Sequence, residues 1–115
     1  MSKQSFSILT LTISATATLT ADRFVTIAGA VPAADAYVLG VCRTAAVSGD
    51  RVTVDVQGTS IVEAGAAVAV GNTVKVDASG RAIPWATSGA KVGIALQAAT
   101  AAGQFIEVLL LPTAA

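Results

Sequence analysis

A short phrase that joins a turn to a strand occurs three times in this chain. Each copy begins with a glycine, and residues common in strands then occupy alternate positions; the copies are residues 49–54, 71–76 and 103–108. Glycine adopts the positive φ values that tight turns require, and alternating β-branched residues give a strand one apolar face. A looser fourth copy spans residues 21–27. The phrase therefore predicts a chain of short strands joined by tight turns.

The order of these phrases reveals an internal duplication. Residues 39–56 and 92–110 each have the pattern of a β-hairpin, with a short strand, a turn of small residues and a longer strand. A third hairpin is predicted between them, where residues 73–77 lead through a turn at 78–80 into residues 81–84. We therefore expect a small, single-domain all-β fold, either a barrel or a sandwich, built of short hairpins.

An N-terminal run precedes the hairpins and differs from them in composition. From residue 9 to residue 21 every odd position is apolar and every even position is serine or threonine. Strict alternation is typical of a strand and not of the apolar helix of a signal peptide or membrane span, so we interpret the run as mature protein. At ~3.3 Å per residue it would extend about 43 Å, longer than an ordinary strand. The sequence predicts that the run bends near residues 15–17 or projects in part as an extended arm.

The same run sets the expected division of the chain. Residues 1–21 form an N-terminal strand or arm, and residues 22–115 form a β domain that contains the duplicated hairpin unit. At this length one hydrophobic core is expected.

Charge is scarce and balanced along the whole chain. Charged residues make up 12%, against roughly 25% in soluble domains, and seven basic residues offset seven acidic ones with no block of either sign. A protein that binds nucleic acid or an acidic membrane usually carries a basic patch, so we expect neither partner. Soluble monomers rely on mixed surface charge to stay apart. The composition therefore favours a subunit that buries much of its surface in an assembly over the alternative, a compact monomer rich in alanine and threonine.

Residues that carry out enzymatic chemistry are few. There is no histidine, and Cys42 is the single cysteine, which excludes an intrachain disulfide and a zinc cluster. We expect Cys42 to be buried as a small apolar residue. No phosphate-binding glycine motif is present, and the acidic residues lie mostly at turns or between apolar residues of strands. The sequence therefore predicts a protein that is not an enzyme, with no catalytic, cofactor-binding or metal-binding residues.

Two apolar features near the end of the chain indicate contacts beyond an ordinary core. Residues 108–111 are apolar at consecutive positions, so the last strand is expected either at the centre of the sheet or at an interface. Trp85 follows the third hairpin and has two interpretations. It is either a core or rim residue, or an anchor at an interface, where tryptophan is enriched.

Several segments, taken in order, carry a resemblance to a known family. They are Leu39-Gly40-Val41, Gly49-Asp50-x-Val52-x-Val54-x-Val56-x-Gly58, Gly71-x-x-Val74, Asp77-x-x-Gly80-Arg81, Val92-Gly93-Ile94-Ala95-Leu96-x-Ala98-Ala99 and Gly103-x-x-Ile106-x-Val108-x-Leu110-x-Pro112. Their order and spacing over roughly residues 24–112 resemble the small capsid cement (head decoration) proteins of tailed bacteriophages. Asn72 and Gln104 depart from the pattern, because acidic residues are expected there, and the N-terminal run is more extended than expected.

The resemblance implies a structural virion protein that binds the outside of the phage head after the shell expands and bridges neighbouring capsomers. Its partners would be the major capsid protein and further copies of itself, since such proteins often form trimers. It would be made in the host cytoplasm and found on the outer surface of the capsid. The alternative, from a different class, is a carbohydrate- or surface-binding β module of a phage tail or fibre, which would show an exposed aromatic cluster.

The expected contacts lie in two parts of the chain. The N-terminal segment is expected to lie against an edge strand of the capsid and to extend its sheet, with Phe6 or Ile8 as an anchor. The residues assigned to capsid contact are Ser5, Phe6, Ser7, Ile8, Leu9, Leu11 and Ile13. The residues assigned to contact between subunits are Trp85, Leu109 and Leu111.

Overall fold

Eight strands form the sheet in the computed structural model, which describes residues 5–111. They are β1 (Ser7–Ser14), β2 (Arg23–Val25), β3 (Gly40–Cys42), β4 (Arg51–Glu63), β5 (Thr73–Val76), β6 (Ala82–Pro84), β7 (Gly93–Ala95) and β8 (Phe105–Leu110). The strand order is β2-β3-β4-β8-β7-β5-β6, β1 pairs with β4, and all of these pairs are antiparallel. A parallel bridge between Ala64 and Ala82 brings the sheet close to a closed barrel. The described residues contain no helix, and the prediction of a small all-β fold is confirmed.

The glycine phrases form the turns that lead into β4, β5 and β8. Gly49, Gly71 and Gly103 have φ values of +96°, +88° and +91°, in the region that favours glycine. β3 pairs with β4, and β7 pairs with β8, where the sequence predicts the two similar hairpins. In the third hairpin, Oδ1 of Asp77 accepts hydrogen bonds from two backbone N–H groups of the turn at 2.8 and 2.9 Å. Local turn chemistry therefore fixes where these strands begin.

β4 is longer than the sequence pattern predicts. The predicted hairpin unit ended at Val56, whereas β4 runs through Gly58 to Glu63. Its first half has β1 on one edge and β3 on the other, since Val54 and Asp55 each have a partner in both strands. Its second half pairs with β8. One strand therefore connects the barrel to β1.

The N-terminal run bends in its middle and contributes to the structure in two ways. β1 ends at Ser14, and the following residues fold over the sheet, so that Ala15 and Leu19 are buried. The N–H of Ala15 donates a hydrogen bond to the carbonyl oxygen of Asp50 at 2.7 Å. The domain boundary expected between residues 21 and 22 stays a prediction.

Two apolar clusters lie on opposite faces of the sheet. The larger one fills the inside of the barrel, and the smaller one lies outside it, beneath the segment that follows β1. Adjacent residues of β3 point to different clusters, Val41 to the inner one and Cys42 to the outer one, as the alternation of a strand requires. The buried position expected for Cys42 is confirmed. A sheet covered on both faces needs few charged residues, in agreement with the composition.

The close contact between Gly58 of β4 and Phe6 predicts how much stability is lost when a methyl group is added at Gly58. Gly58 and Gly49 have nearly the same φ (+99° and +96°), so alanine at either position introduces ~1–3 kcal/mol of backbone strain. A Cβ at Gly58 would overlap with the carbonyl oxygen of Phe6, whereas a Cβ at Gly49 would meet nothing within 4 Å. We expect Gly58→Ala to lower the free energy of unfolding in urea by more than Gly49→Ala does.

Amide hydrogen exchange gives a local measure of the same contact. The N–H of Thr59 is hydrogen-bonded to the carbonyl oxygen of Phe6 at 2.9 Å. Gly58→Ala is expected to speed exchange at Thr59, and Gly49→Ala is expected to leave it unchanged. Equal losses of stability in the two variants, with parental exchange at Thr59 in both, would contradict the contact.

Candidate functional site

The edge of β1 that faces away from β4 has no partner strand among residues 5–111. The carbonyl oxygen of Thr53 in β4 accepts a hydrogen bond from the N–H of Arg43 at 3.0 Å, so the backbone groups of Thr53 point toward β3. Thr12 lies opposite Thr53 in β1. In an antiparallel pair, both residues at such a position direct their N–H and C=O groups away from each other, and the same applies at Thr10. The outward backbone groups of Thr10 and Thr12 are called here the free edge of β1.

The side chains around the free edge are uncharged, and many are apolar. Ile8 is 79% exposed, and Leu9 and Leu11 are 42% and 41% exposed. Ile13 packs against the outer apolar cluster. Residues 4–21 contain no charged side chain and no proline. Exposed edge strands usually carry charge or proline that prevents pairing with another chain. The free edge of β1 lacks both of these safeguards and is suited to pair with a further strand.

The amino end of this segment is attached to β4 through Thr59. The N–H of Phe6 donates to Oγ1 of Thr59 at 2.9 Å, and the hydroxyl of Ser5 donates to its carbonyl oxygen at 3.2 Å. The side chain of Phe6 is nevertheless 63% exposed. The structure thus brings the residues assigned to capsid contact together along one strand and its N-terminal extension. They are held on the sheet and do not project as an arm.

The residues assigned to contact between subunits share the outer face of the sheet. A row crosses this face from β4 to β5, and it consists of Thr59, Leu109, Ile94 and Thr73. Trp85 continues the row, because its backbone N–H donates to the carbonyl oxygen of Thr73 at 2.8 Å. Leu109 is 37% exposed, and Leu111 lies on the same side by strand alternation. β8 lies between β4 and β7, at the centre of the sheet.

Asp55 is a buried carboxylate beside β1 that the sequence pattern did not single out. It is 1% exposed, and its oxygens accept hydrogen bonds from the hydroxyls of Ser7 at 3.0 Å and Ser60 at 2.9 Å. The Nε of Arg43 lies 2.7 Å from Oδ1 and supplies the opposite charge. A buried charge needs such partners, because its removal from water is costly. Asp55 alternates with valines in the sequence, which is typical of a solvent-facing residue, so no local signal indicated its burial.

Three acidic side chains lie near one another at the start of β2. Burial raises the pKa of Asp22, and the negative charges of Asp55 and Glu63 raise it further. Glu63 pairs with Arg23, whose Nε lies 3.1 Å from Oε1, whereas no ion pair reaches Asp22 among the described residues. The backbone of Asp22 has a φ of +62°, which asparagine adopts as readily as aspartate. The charged form of Asp22 therefore opposes folding.

The part of the chain that the structure describes has no cluster of three or more His, Cys, Asp or Glu side chains placed to hold a metal ion. Burial raises the pKa of the Cys42 thiol, whose Sγ–H donates to the carbonyl oxygen of Thr20 at 3.0 Å. Between residues 5 and 111 no helix is long and apolar enough to cross a membrane. An open strand edge is a feature by which proteins bind other chains.

Neutralising Asp22 is expected to stabilise the protein at neutral pH. The folded-state pKa of Asp22 lies above the unfolded-state value, so the folded state binds this proton more readily and the charged carboxylate costs free energy at pH 7. We expect Asp22→Asn to raise the urea midpoint at pH 7. The gain should shrink as the pH falls through the folded-state pKa, because Asp22 of the parent protein then becomes protonated.

Asp35→Asn is the matched control for this measurement. Asp35 also has a positive φ, +66°, but its carboxylate forms an ion pair with Lys75 at 2.8 Å. Loss of that pair is expected to lower the urea midpoint at pH 7. A stabilisation by Asp22→Asn that stays the same at every pH would contradict the electrostatic cause.

The fold of this protein is shared with a solved phage structure. The N base of the head fiber protein gp8.5 of bacteriophage phi29 matches it with a TM-score of 0.73, over 93% of this chain and 97% of that chain. The two sequences are 19% identical, so the likeness shows the fold alone. A search of curated protein sequences gave no match.

Comparison with sequence families gives the more specific result. The family model described as phage cement protein matches residues 3–110, a range that includes all eight strands and the free edge of β1. The resemblance drawn from the turn and strand segments is thereby confirmed. The chain belongs to the phage cement protein family.

Proposed function

We propose that this protein binds the outer surface of a phage head and stabilises the expanded capsid by bridging neighbouring capsomers. Membership of the phage cement family supports a structural role on the phage head. The observation that carries the finer proposal is the free edge of β1, an uncharged strand edge whose backbone groups have no partner among residues 5–111. The partner on the head is the major capsid protein.

Docking takes place by strand addition. A capsid strand lies beside β1 and forms hydrogen bonds with the outward N–H and C=O groups of Thr10 and Thr12, which gives affinity without dependence on charge. Apolar side chains on and before β1 supply the specific contacts. Ile8 and Phe6 are the most exposed of these and serve as anchors. The full set comprises Ser5, Phe6, Ser7, Ile8, Leu9, Leu11 and Ile13.

Copies of the chain associate through the outer face of the sheet, as a homotrimer. Trp85, Leu109 and Leu111 lie on this face, and Leu109 lies between Thr59 and Ile94 in the row that crosses it. A trimer holds three β1 edges in a fixed arrangement. Once one edge has bound, the other two are held near the capsid, so the combined affinity exceeds that of a single edge. The combined affinity of three linked edges allows each contact with a capsomer to be weak while the bridge between capsomers is strong.

The role is structural and requires no catalysis. The sequence has no histidine. Asp55, the one fully buried carboxylate among residues 5–111, is occupied by Ser7, Ser60 and Arg43, so it is not available as a general base. Of the remaining acidic side chains, Asp35, Glu63 and Asp77 form ion pairs with arginine or lysine, Asp22 and Asp50 lie at turns, and Glu107 lies on β8.

The alternative is a carbohydrate- or surface-binding module of a tail or fibre, and the fold shared with a head fiber base is compatible with it. Such a module presents aromatic rings to its ligand. The Nζ of Lys91 lies 4.5 Å from the centre of the Trp85 ring, and Nε1–H of Trp85 donates to the carbonyl oxygen of Gly89 at 2.8 Å. One face of this ring and its polar atom are therefore already occupied, which favours the cement function.

Blocking the free edge of β1 is expected to prevent head binding. Proline is tolerated at an edge strand where the N–H faces outward, so Thr12→Pro removes one outward donor and places a ring on the edge while β1 remains paired with β4. Thr12→Ala removes the side chain and keeps the N–H. On undecorated expanded heads imaged by cryo-electron microscopy, we expect Thr12→Pro to lower the apparent affinity about tenfold or more, since each trimer loses a hydrogen bond at three sites.

Thr12→Ala is expected to decorate the same heads as the parent protein does, and circular dichroism should show the parental fold in both variants. If folded Thr12→Pro protein decorates heads at parental occupancy, strand addition at β1 is wrong. If no variant and no parent protein binds heads, while the parent binds a tail, a fibre or a carbohydrate, the alternative function is supported.

Charge on the outer face is expected to separate the copies. Leu109→Lys places a charge between Thr59 and Ile94 in the row, and light scattering after size exclusion should show a fall from trimer to monomer mass. Val70→Lys is the matched control, because Val70 is 65% exposed and lies outside the strands that form the row. This control should keep the parental mass. Leu109→Lys protein that remains trimeric would remove Leu109 from the subunit contact.

A further inference from the structure

The pairing of β1 with β4 is regular over most of its length and irregular near its amino end. Thr10 lies opposite Asp55 and Leu11 lies opposite Val54, but Leu9 lies opposite Gln57 and Ser7 opposite Gly58. Ile8 of β1 and Val56 of β4 therefore have no partner in the ladder. Two irregularities, one in each strand, compensate each other within three residues. Such bulges commonly re-aim side chains at sites of contact.

Apolar contacts alone do not account for this local geometry. Regular pairing continued from Leu11 and Val54 would place Leu9 opposite Val56, which keeps apolar residues together. It would also place Ile8 on the same face as Thr10 and Asp55, and it would turn Ser7 to the other face. The buried carboxylate of Asp55 would then lie next to an apolar side chain and lose a donor.

The observed pairing gives Asp55 a hydroxyl group in that position. The hydroxyl of Ser7 donates to Oδ1 of Asp55 at 3.0 Å, while Ile8 is 79% exposed. Asp55 itself is held by Arg43 at 2.7 Å and Ser60 at 2.9 Å, so its position does not depend on β1. A buried charge that has lost one of its donors is disfavoured, and this cost selects the irregular pairing over the regular one.

We propose that Asp55, acting through Ser7, is a positioning residue that holds the two irregularities and thereby aims Ile8 and Phe6 outward for contact with the partner strand. Asp55 does not touch the partner. It decides which side chains the amino half of β1 presents. The consequence for head binding rests on the proposed function, whereas the effect on pairing is independent of it.

Engineered cysteine pairs report which pairing is present. All proteins carry Cys42→Ala to leave no other thiol. Leu9→Cys with Gln57→Cys forms a disulfide in the observed pairing, and Ile8→Cys with Gln57→Cys forms one in regular pairing. In the parent background we expect the first pair to oxidise under mild conditions and the second to stay largely reduced.

Ser7→Ala and Asp55→Asn are then introduced into both cysteine pairs. Ser7→Ala is expected to raise the ratio of regular to observed cross-link by about tenfold or more, as follows from the loss of a hydrogen bond to a charged group. Asp55→Asn removes the charge but keeps an acceptor oxygen, so it is expected to raise the ratio by less. Ser14→Ala is the matched control, because it removes a second hydroxyl of β1, which is exposed and makes no contact with Asp55, and it should leave the ratio unchanged. Ser7→Ala removes no buried group, so it keeps the test decisive if Asp55→Asn fails to fold.

A parental ratio in folded Ser7→Ala protein would overturn the proposal. A changed ratio together with weaker decoration of heads supports it and the role of β1 in docking. A changed ratio with parental decoration supports the positioning role of Asp55 and contradicts docking through Ile8 and Phe6. The cross-linking measurement needs no heads, so the two failures are distinguishable.

Discussion

The rest of the structure depends on the backbone pairing of β4, which holds β1, β3 and β8 together. Its first half contributes Val52 and Val54 to the outer cluster, and its second half contributes Val62 to the inside of the barrel. If β4 ended at Gly58, its pairing with β1 would not be continuous with its pairing with β8 in the barrel. Because β4 continues, a force applied to β1 is transmitted to the barrel through one continuous strand. Such a connection suits a protein whose proposed role is to resist the movement of capsomers.

Most acidic residues form ion pairs with basic residues of the same chain, so few unpaired charges oppose association. Four of the seven acidic residues, namely Asp35, Asp55, Glu63 and Asp77, form ion pairs within the structure. The segment that carries the free edge of β1, residues 4–21, contains no charged side chain. Mixed surface charge normally keeps soluble proteins apart. A chain whose acidic residues mostly form ion pairs with its own basic residues is suited to pack against identical copies on a shell.

Local turn chemistry made much of the fold predictable from the sequence. The β5–β6 hairpin and the starts of β4 and β8 lie where the glycine phrases indicated. The length of β4 was not predictable, because glycine is typical of turns. Here Gly58 lies within the strand, where its missing side chain allows the close approach of Phe6. The burial of Asp55 was missed for a related reason, since its partners Ser7 and Arg43 come from other strands and loops. Interactions between segments distant in sequence have no signal in the local pattern. The free edge of β1 became visible only from the register with β4, although the alternating run had indicated a strand.

The measurement that tests the central claim most directly is a cryo-electron microscopy map of heads decorated with this protein, at a resolution that traces β1 and the capsid strand nearest to it. The structure predicts a capsid strand beside β1, hydrogen-bonded to the outward backbone groups of Thr10 and Thr12, with Ile8 and Phe6 in contact with the shell. A map in which this edge of β1 faces solvent, and the protein touches the capsid through another surface, would contradict the role assigned to β1.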